Sequence, residues 1–209
     1  STHNLIHNLK NKPRVVFSSS VTVFGFFSKR NPCWWNSETQ PISLYATSKL
    51  ACENIIRVYH TEGKINGTSV RIPALTGVGA THGLIKDLIT KLESSDKTLN
   101  LFGAKPGSIK PFMMVDDCSE IFYKIATEQK GYDEVGLTSI VGTKDSLSVL
   151  QIANIVMEEL NIKKEIYWNE NSVWPGDNKE IYIIPCFSPI SNSEESIRKV
   201  IREYKNAKV

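Results

Sequence analysis

The feature that most constrains the fold of this chain is a short apolar run followed by three hydroxyls at Ser18, Ser19 and Ser20. Residues 15–17 are a continuous run of β-branched and aromatic side chains, which predicts a parallel strand buried on both faces. In open α/β sheets, ligands bind at the carboxyl ends of the strands. The sequence therefore predicts that the three serines stand at an edge where chemistry takes place.

Tyr45 and Lys49 form a second feature, because they are four residues apart in a stretch that we predict to be helical from residue 45 to about residue 60. This spacing puts both side chains on one helix face. An ammonium group near a phenol favours the phenolate, which lowers a pKa that is ordinarily about 10. With a serine hydroxyl donating to the same substrate oxygen, Tyr45 would be the general base in a hydride transfer. The sequence thus predicts a Ser, Tyr, Lys triad.

A tyrosine four residues before a lysine is a weak signal by itself. Tyr204 and Lys208 repeat this spacing in a charged C-terminal helix, where we expect a solvated surface. Tyr45 differs because a serine-tipped strand precedes it and Pro41 stands at the entry to its helix. The sequence therefore favours Tyr45 as the catalytic residue.

Composition excludes several classes of protein. Hydrophobic residues make up 41% of the chain and charged residues 22%, which is ordinary for a soluble globular protein. A net charge of +3 is too small to indicate nucleic-acid binding. No apolar run reaches the roughly 18 residues of a membrane span, and the four cysteines contain no C-x-x-C pair, which favours reduced thiols. We expect a cytoplasmic protein.

His3 and His7 are also four residues apart, a spacing that could bind a metal ion. No third ligand is expected within reach. Two surface histidines are therefore the favoured interpretation, and we expect no metal site.

Periodicity and capping patterns predict the remaining elements. A helix is expected over residues 1–12, ended by Pro13. Ser148 and Gln151 form a capping box that opens a helix reaching residue 160, and Ser193 is expected to cap a final helix. Further strands are predicted at residues 68–73, 99–102, 112–115, 136–141 and 166–168, and further helices at residues 83–93 and from residue 116 to about residue 127.

Several motifs occur together along the chain. Residues 18–25 read SSSVTVFG, and Pro41, Tyr45, Lys49 and Glu53 follow them. The later motifs are VRIP at 70–73, THGLI at 81–85, LFG at 101–103, MVDD at 114–117 and PGD at 175–177. In this order they resemble the extended short-chain dehydrogenase/reductase family, in particular its NAD-dependent nucleotide-sugar epimerases and dehydratases, over nearly the whole chain.

The resemblance implies an α/β fold, with a partial doubly wound (Rossmann-type) parallel sheet and a small C-terminal α/β substrate lobe. Residues 1–80 would belong to the later part of a dinucleotide-binding domain whose sheet is completed by about residues 108–142. Residues 81–107 and 143–209 would form the substrate lobe. The Gly-rich turn that family members carry near their start is not found in this sequence. We expect the glycine cluster at residues 77–83 to be a flexible loop on the substrate side.

The resemblance also implies a function and a site. The chain would act on a nucleotide-sugar with NAD as the cofactor, or NADP, and would form a homodimer. One residue, Tyr45, would take a proton from a sugar hydroxyl while hydride passes to the cofactor and then returns to the other face. The catalytic residues would be Ser20, Tyr45 and Lys49. The cofactor would contact Ser18, Ser19, Tyr45, Lys49, Ile72 and Pro73, and the substrate would contact Ser20, Ala74, His82, Leu101, Lys110 and Asp177.

Three positions depart from the family pattern. Ala74 stands where relatives commonly have an asparagine, Lys110 where they have an arginine, and Trp174 near the place of a second arginine. A lysine keeps the charge but loses the bidentate fork of arginine. These departures favour, as one alternative, an oxidoreductase of the same family that acts on a smaller alcohol. A chain that only binds or dimerises, for example through an exposed sheet edge, is the other alternative.

Overall fold

The computed structural model describes residues 1–25, 32–129, 136–171, 180–187 and 191–207. Strands and helices alternate along much of this part of the chain, as expected for an α/β protein. The helices are α1 (Thr2–His7), α2 (Leu44–Thr61), α3 (Leu84–Glu93), α4 (Val115–Ala126), α5 (Val149–Leu160) and α6 (Ser193–Asn206). The strands are β1 (Arg14–Ser20), β2 (Asn66–Ile72), β3 (Ala74–Thr76), β4 (Thr98–Phe102), β5 (Ile109–Lys110), β6 (Phe112–Met114), β7 (Thr138–Ile140), β8 (Leu147–Ser148) and β9 (Glu165–Asn169).

A parallel sheet with the strand order β1, β2, β7 lies at the centre of the N-terminal part. Ser20 is the register partner of Ile72, and Arg71 is the partner of Ile140. Because the strands are parallel, their carboxyl ends lie at one edge of the sheet. The carboxyl ends of β1 and β2 and the start of the segment after β7 therefore lie at the same edge of the sheet.

Helices cover both faces of this sheet, because successive residues of a strand point to opposite sides. Val16 packs in a hydrophobic cluster with residues of α4, whereas Val15 and Phe17 pack in a cluster with residues of α1 and α2. This is the doubly wound arrangement. The structure confirms the predicted α/β fold class.

The C-terminal part contains a second core, formed by α3, α5 and α6. In α3 the buried side chains are Ile85, Leu88, Ile89 and Leu92, which follow the helical period. Strands β4 and β9 pair in parallel and contribute to this core, β5 and β8 pair antiparallel, and β3 and β6 form a parallel pair. A small α/β lobe is therefore present as expected, while the exact domain boundaries stay predictions.

Two elements near the N-terminus differ from their predicted bounds. Strand β1 runs to Ser20, so the three serines belong to the strand instead of following it. Helix α1 ends at His7. Asn11 and Lys12 have φ angles of 65° and 47°, a left-handed conformation that a right-handed helix does not contain.

The caps of the last two helices show one confirmed prediction and one wrong one. The capping box of Ser148 and Gln151 opens α5 as predicted. The cap of α6 is Asn192 and not Ser193, because the Asn192 side chain accepts a hydrogen bond from the N–H of Glu195 at 2.8 Å. Ser193 is already helical, and its hydroxyl instead accepts a hydrogen bond from the N–H of Phe112 in β6, at 2.9 Å.

Tyr204 is half-buried, which differs from the expected solvated surface, whereas Lys205, Asn206 and Ala207 are exposed as expected. The Tyr204 hydroxyl donates to Glu93 Oε2 at 2.8 Å, and Lys86 Nζ lies 5.1 Å from the ring centroid. The ring itself packs against the core of the C-terminal lobe. This second Tyr-x-x-x-Lys spacing therefore begins with a packing residue.

His3 and His7 both contact the Tyr59 hydroxyl, with distances from Nδ1 to the oxygen of 3.1 and 3.3 Å. Within the described ranges, no group of three or more His, Cys, Asp or Glu side chains is placed to hold a metal ion.

No helix in the same part of the chain is long and apolar enough to cross a membrane. The cytoplasmic location and the homodimer stay predictions.

All four cysteines are unpaired. Burial raises the pKa of Cys33 to about 12 and that of Cys118 to about 11. These two thiols therefore stay protonated at neutral pH, and neither is activated as a nucleophile.

An ion-pair network joins α5 to α6 through Glu159. Its carboxylate accepts from Arg202 Nη2 at 2.8 Å and from Arg198 Nη1 at 2.9 Å. The hydrogen bond from Arg202 contributes most, and together with that from Arg198 it holds the pKa of Glu159 below the ordinary value of 4.5. A carboxyl whose pKa is lowered by folding contributes stability above its unfolded pKa and loses it as the pH falls through the folded pKa.

We expect Glu159→Gln to lower the free energy of unfolding at pH 7 by at most about 1 kcal/mol, the upper range for a pair near the surface. The variant should also lose less stability than the wild type between about pH 5 and pH 3, because it has no carboxyl to protonate. Urea denaturation of both proteins across this range measures the difference. Parallel pH curves would contradict the assignment.

Candidate active site

Ser20 is the last residue of β1 and caps the 3-10 helix that follows (Val21–Phe24). Its Oγ accepts hydrogen bonds from Thr22 N at 3.2 Å and from Thr22 Oγ1 at 2.9 Å. A serine hydroxyl has two acceptor positions and one donor. With both acceptor positions used, the Ser20 hydroxyl is held in a state in which it donates to a further group.

Helix α2 brings Tyr45 and Lys49 to the same region. Ser43 caps the helix by accepting from Ala46 N at 3.1 Å, so Tyr45 falls in the first turn. The Tyr45 side chain is 55% exposed, which leaves its phenol accessible to a ligand. The helix packs on β1, β2 and the 3-10 helix, which places its first turns near the carboxyl edge of the sheet.

The Lys49 ammonium group connects the strand to the tyrosine. Lys49 Nζ donates to the carbonyl oxygen of Ser18 at 2.8 Å. The same nitrogen lies 5.6 Å from the Tyr45 ring centroid and 5.2 Å from that of Phe17. The predicted neighbourhood of an ammonium and a phenol is therefore present, and a backbone carbonyl holds the ammonium in it.

Ile72 ends the neighbouring strand β2 at this edge, and Pro73 follows it. Ile72 is half-buried and Pro73 is buried. A side chain on Gly142, which has a φ of 141°, would lie 2.9 Å from Pro73 Cγ and 2.8 Å from Ile183 Cδ1. Only glycine therefore lets the segment after β7 approach Pro73 this closely.

Ser19 does not face this edge. It is fully buried, and its hydroxyl donates to Glu53 Oε1 at 2.5 Å. Glu53 in turn accepts a bidentate pair of hydrogen bonds from Arg71, at 2.9 and 2.7 Å. The side chain of Ser19 therefore lies behind the edge, against a buried ion pair.

The pair of Glu53 and Arg71 is the feature that sequence reasoning missed. One signal was available: Tyr45, Lys49 and Glu53 follow one another at intervals of four, so all three lie on one face of α2. A second was Arg71, a charged residue in a strand buried over most of its length.

His82 lies in a different region, at a cavity of about 410 Å³. The glycine-rich segment at residues 77–83, the start of α3 and the C-terminal half of α6 form its walls, with Phe112. His82 is exposed and its Nδ1 lies 3.3 Å from Thr81 Oγ1. The walls are mostly apolar, and Ser20, Tyr45 and Lys49 are not among the residues that line them.

The other predicted substrate residues are dispersed. Leu101 is buried in the core of the C-terminal lobe, so its side chain is a packing residue. Ala74 begins β3, pairs with Phe112 and packs against the same core. Lys110 is half-buried in β5. Asp177, like Trp174, lies outside the described residues.

Comparison with known proteins gives results that agree with one another. The family model described as NAD dependent epimerase/dehydratase family matches residues 1–136. A curated relative, GDP-6-deoxy-D-talose 4-dehydrogenase of Aggregatibacter actinomycetemcomitans, is 26% identical over 173 residues, which cover 80% of this chain and 56% of the relative. A crystal structure of UDP-galactose 4-epimerase is 25% identical, with a TM-score of 0.77 over 99% of this chain and 68% of that chain.

A third similar protein is UDP-glucuronic acid 4-epimerase from Bacillus cereus, whose crystal structure contains UDP-glucuronic acid and NAD. Its TM-score is 0.82 over 99% of this chain and 66% of that chain, at 21% identity, so this likeness concerns the fold alone. The chain thus spans little more than half the length of the curated relative and about two thirds of these two solved structures.

Proposed function

The chain belongs to the NAD-dependent epimerase/dehydratase family, and we propose that it serves the epimerisation or dehydration of a nucleotide-sugar, with NAD as the cofactor and NADP as the alternative. The observation that carries the proposal is the position of Lys49 Nζ, which lies 2.8 Å from the Ser18 carbonyl oxygen and 5.6 Å from the Tyr45 ring centroid. A cation is thereby held beside an accessible phenol. Both stand at the sheet edge where open α/β folds bind their ligands.

In the proposed reaction Tyr45 takes the proton of a sugar hydroxyl as the general base. Ser20 donates a hydrogen bond to the same oxygen, a role that suits a hydroxyl whose acceptor positions are used by Thr22. Lys49 places a positive charge near the Tyr45 ring and would bind the ribose of the cofactor. When bound, NAD would supply the reversible hydride-transfer chemistry at this edge.

The residues at this edge are compatible with a nicotinamide ring. Ile72 is the last residue of β2, beside Ser20, and its half-buried side chain would offer an apolar surface to a flat ring, while Pro73 follows it and is buried. Ser18 and Lys49 add polar groups on the side of β1. We retain Ser18, Ile72, Pro73 and Lys49 as proposed cofactor contacts.

The nucleotide-sugar is proposed from the relatives and from the cavity beside His82. By their names, the curated relative and the epimerases act on GDP- and UDP-sugars. The cavity of about 410 Å³ falls within the roughly 300–1,000 Å³ of small-molecule sites. Lys110 and Asp177 remain proposed substrate contacts on the resemblance alone.

A smaller alcohol is the second candidate substrate, because Ala74 lacks the amide that relatives commonly present and Lys110 lacks a bidentate fork. One experiment separates the two candidates. The full chain is incubated with NAD and a panel of UDP-, GDP- and dTDP-sugars beside a panel of hydroxy acids, and products are identified by mass spectrometry and NMR. Conversion of a nucleotide-sugar supports the proposal, and conversion confined to the small alcohols contradicts it.

We expect Ser20→Ala to lower kcat by about 10²- to 10³-fold, because one donor to the reacting oxygen is lost. The loss of its cap on the 3-10 helix should lower the free energy of unfolding by about 1 kcal/mol. Turnover and urea denaturation measure the two effects. Ser119→Ala, which removes an exposed hydroxyl on α4, is the matched control. Equal kcat values in the two variants would contradict the role of Ser20.

A further inference from the structure

The buried ion pair of Glu53 and Arg71 lies outside the residues assigned to the chemistry, yet it joins the elements that carry them. We propose that it is a positioning pair, which fixes α2 against the carboxyl ends of β1 and β2 so that Tyr45 and Lys49 reach the edge in one geometry. The proposal rests on the function proposed above for that edge.

Four hydrogen bonds converge on this pair. Arg71 donates from Nε to Glu53 Oε1 at 2.9 Å and from Nη2 to Glu53 Oε2 at 2.7 Å, the bidentate fork of arginine and carboxylate. Ser19 Oγ also donates to Glu53 Oε1, and Arg71 Nη1 donates to the carbonyl oxygen of Trp35 at 3.1 Å. The Arg71 guanidinium carbon lies 4.6 Å from the Phe24 ring centroid. Residues of α2, β1 and β2, together with Phe24 and Trp35, thus meet at the pair of Glu53 and Arg71.

The members of this network are next to the residues of the edge. Ser19 lies between Ser20 and Ser18, whose carbonyl accepts from Lys49 Nζ at 2.8 Å. Glu53 follows Lys49 by about one turn of α2. Sliding α2 along β1 would break the hydrogen bond of Ser19 to Glu53 and the contact of Lys49 with Ser18 together. A misplacement of about 1 Å at reacting groups costs on the order of 10²-fold in rate.

Global stability alone does not account for two buried charges. The side chains of Glu53 and Arg71 are each 6% exposed. Removing both charges from water costs free energy that their attraction only partly offsets, and apolar side chains of similar size are often as stable in such a place. Apolar side chains cannot supply directed hydrogen bonds, and a catalytic geometry depends on direction.

The test uses the full chain carrying Glu53→Leu together with Arg71→Met. Its matched control carries Glu159→Leu together with Arg198→Met, which removes an ion pair of the same chemistry between α5 and α6. Urea unfolding and amide hydrogen exchange of peptides from residues 44–53 are followed in both proteins. We expect an unchanged or higher urea midpoint for the first double variant, with exchange in residues 44–53 on the order of tenfold faster. The control should leave that exchange unchanged.

Turnover gives a second readout. For the Glu53 and Arg71 double variant we expect kcat to fall by on the order of 10- to 100-fold, with KM changed by less than about threefold. Arg71→Lys keeps the charge but loses the fork, so it should give an intermediate loss. Unchanged exchange and kcat in the double variant would overturn the proposal. A lower urea midpoint with exchange raised throughout the chain would also overturn it, because the role would then be structural. A wild-type chain without turnover would count against the proposed function, while the exchange data would still decide the positioning.

Discussion

Replacing Tyr45 with phenylalanine is expected to lower kcat by about 10²- to 10⁴-fold, because the substitution keeps the ring and removes the group that takes the proton. The side chain is 55% exposed, so the free energy of unfolding should change by less than about 0.5 kcal/mol. Steady-state turnover of a nucleotide-sugar with NAD, measured beside urea unfolding, separates the two quantities. A large loss of kcat in a protein of normal stability assigns the proton transfer to Tyr45.

Tyr123→Phe is the matched control, since Tyr123 is also an exposed tyrosine on a helix and belongs to α4. We expect its kcat to equal that of the wild type. Equal kcat values in Tyr45→Phe and Tyr123→Phe would show that Tyr45 is not the base.

Arg71→Met is expected to have the largest effect on stability, a loss of about 3–5 kcal/mol in the free energy of unfolding. The substitution leaves the Glu53 carboxylate buried without its cation, and it leaves the Trp35 carbonyl without its donor. An uncompensated buried charge costs far more than the pair itself contributes. Urea denaturation at pH 7 measures the loss.

Arg202→Met is the control for this experiment. Arg202 also pairs with a carboxylate, Glu159, but its side chain is 63% exposed. Its loss should therefore cost less than about 1 kcal/mol. Similar losses in Arg71→Met and Arg202→Met would contradict the view that burial sets the difference.

Local patterns were enough to predict most elements. The apolar run at residues 15–17 predicted β1, and the apolar period of residues 83–93 predicted α3, which begins at Leu84. The capping box of Ser148 and Gln151 predicted the start of α5. These patterns report interactions between residues a few positions apart, which is why the sequence alone contains them.

Individual side chains were harder to place, although one further pattern would have helped. Side chains alternate along a strand, so a strand that continues to residue 20 turns Ser19 away from Ser18 and Ser20. The same alternation puts Leu99 and Leu101 on the core side of β4, away from a ligand. The alternation therefore argues against Leu101 as a substrate contact.

The partner of Glu53 could not be predicted in the same way. Residues 53 and 71 lie on α2 and β2, and only the packing of that helix on the sheet brings them together. No periodicity within either element encodes this contact. The candidate catalytic residues were predictable from spacing, whereas the pair that holds them required the structure.

We propose that the edge formed by the end of β1 and the helix face carrying Tyr45 and Lys49 binds a dinucleotide. The most direct test is titration of the purified chain with NADH, followed by quenching of its tryptophan fluorescence, for the wild type and for Lys49→Met. We predict saturable binding by the wild type, weakened about tenfold or more in the variant by the loss of a charged donor. A flat titration of the wild type at millimolar NADH, or equal affinities of the two proteins, would contradict the account.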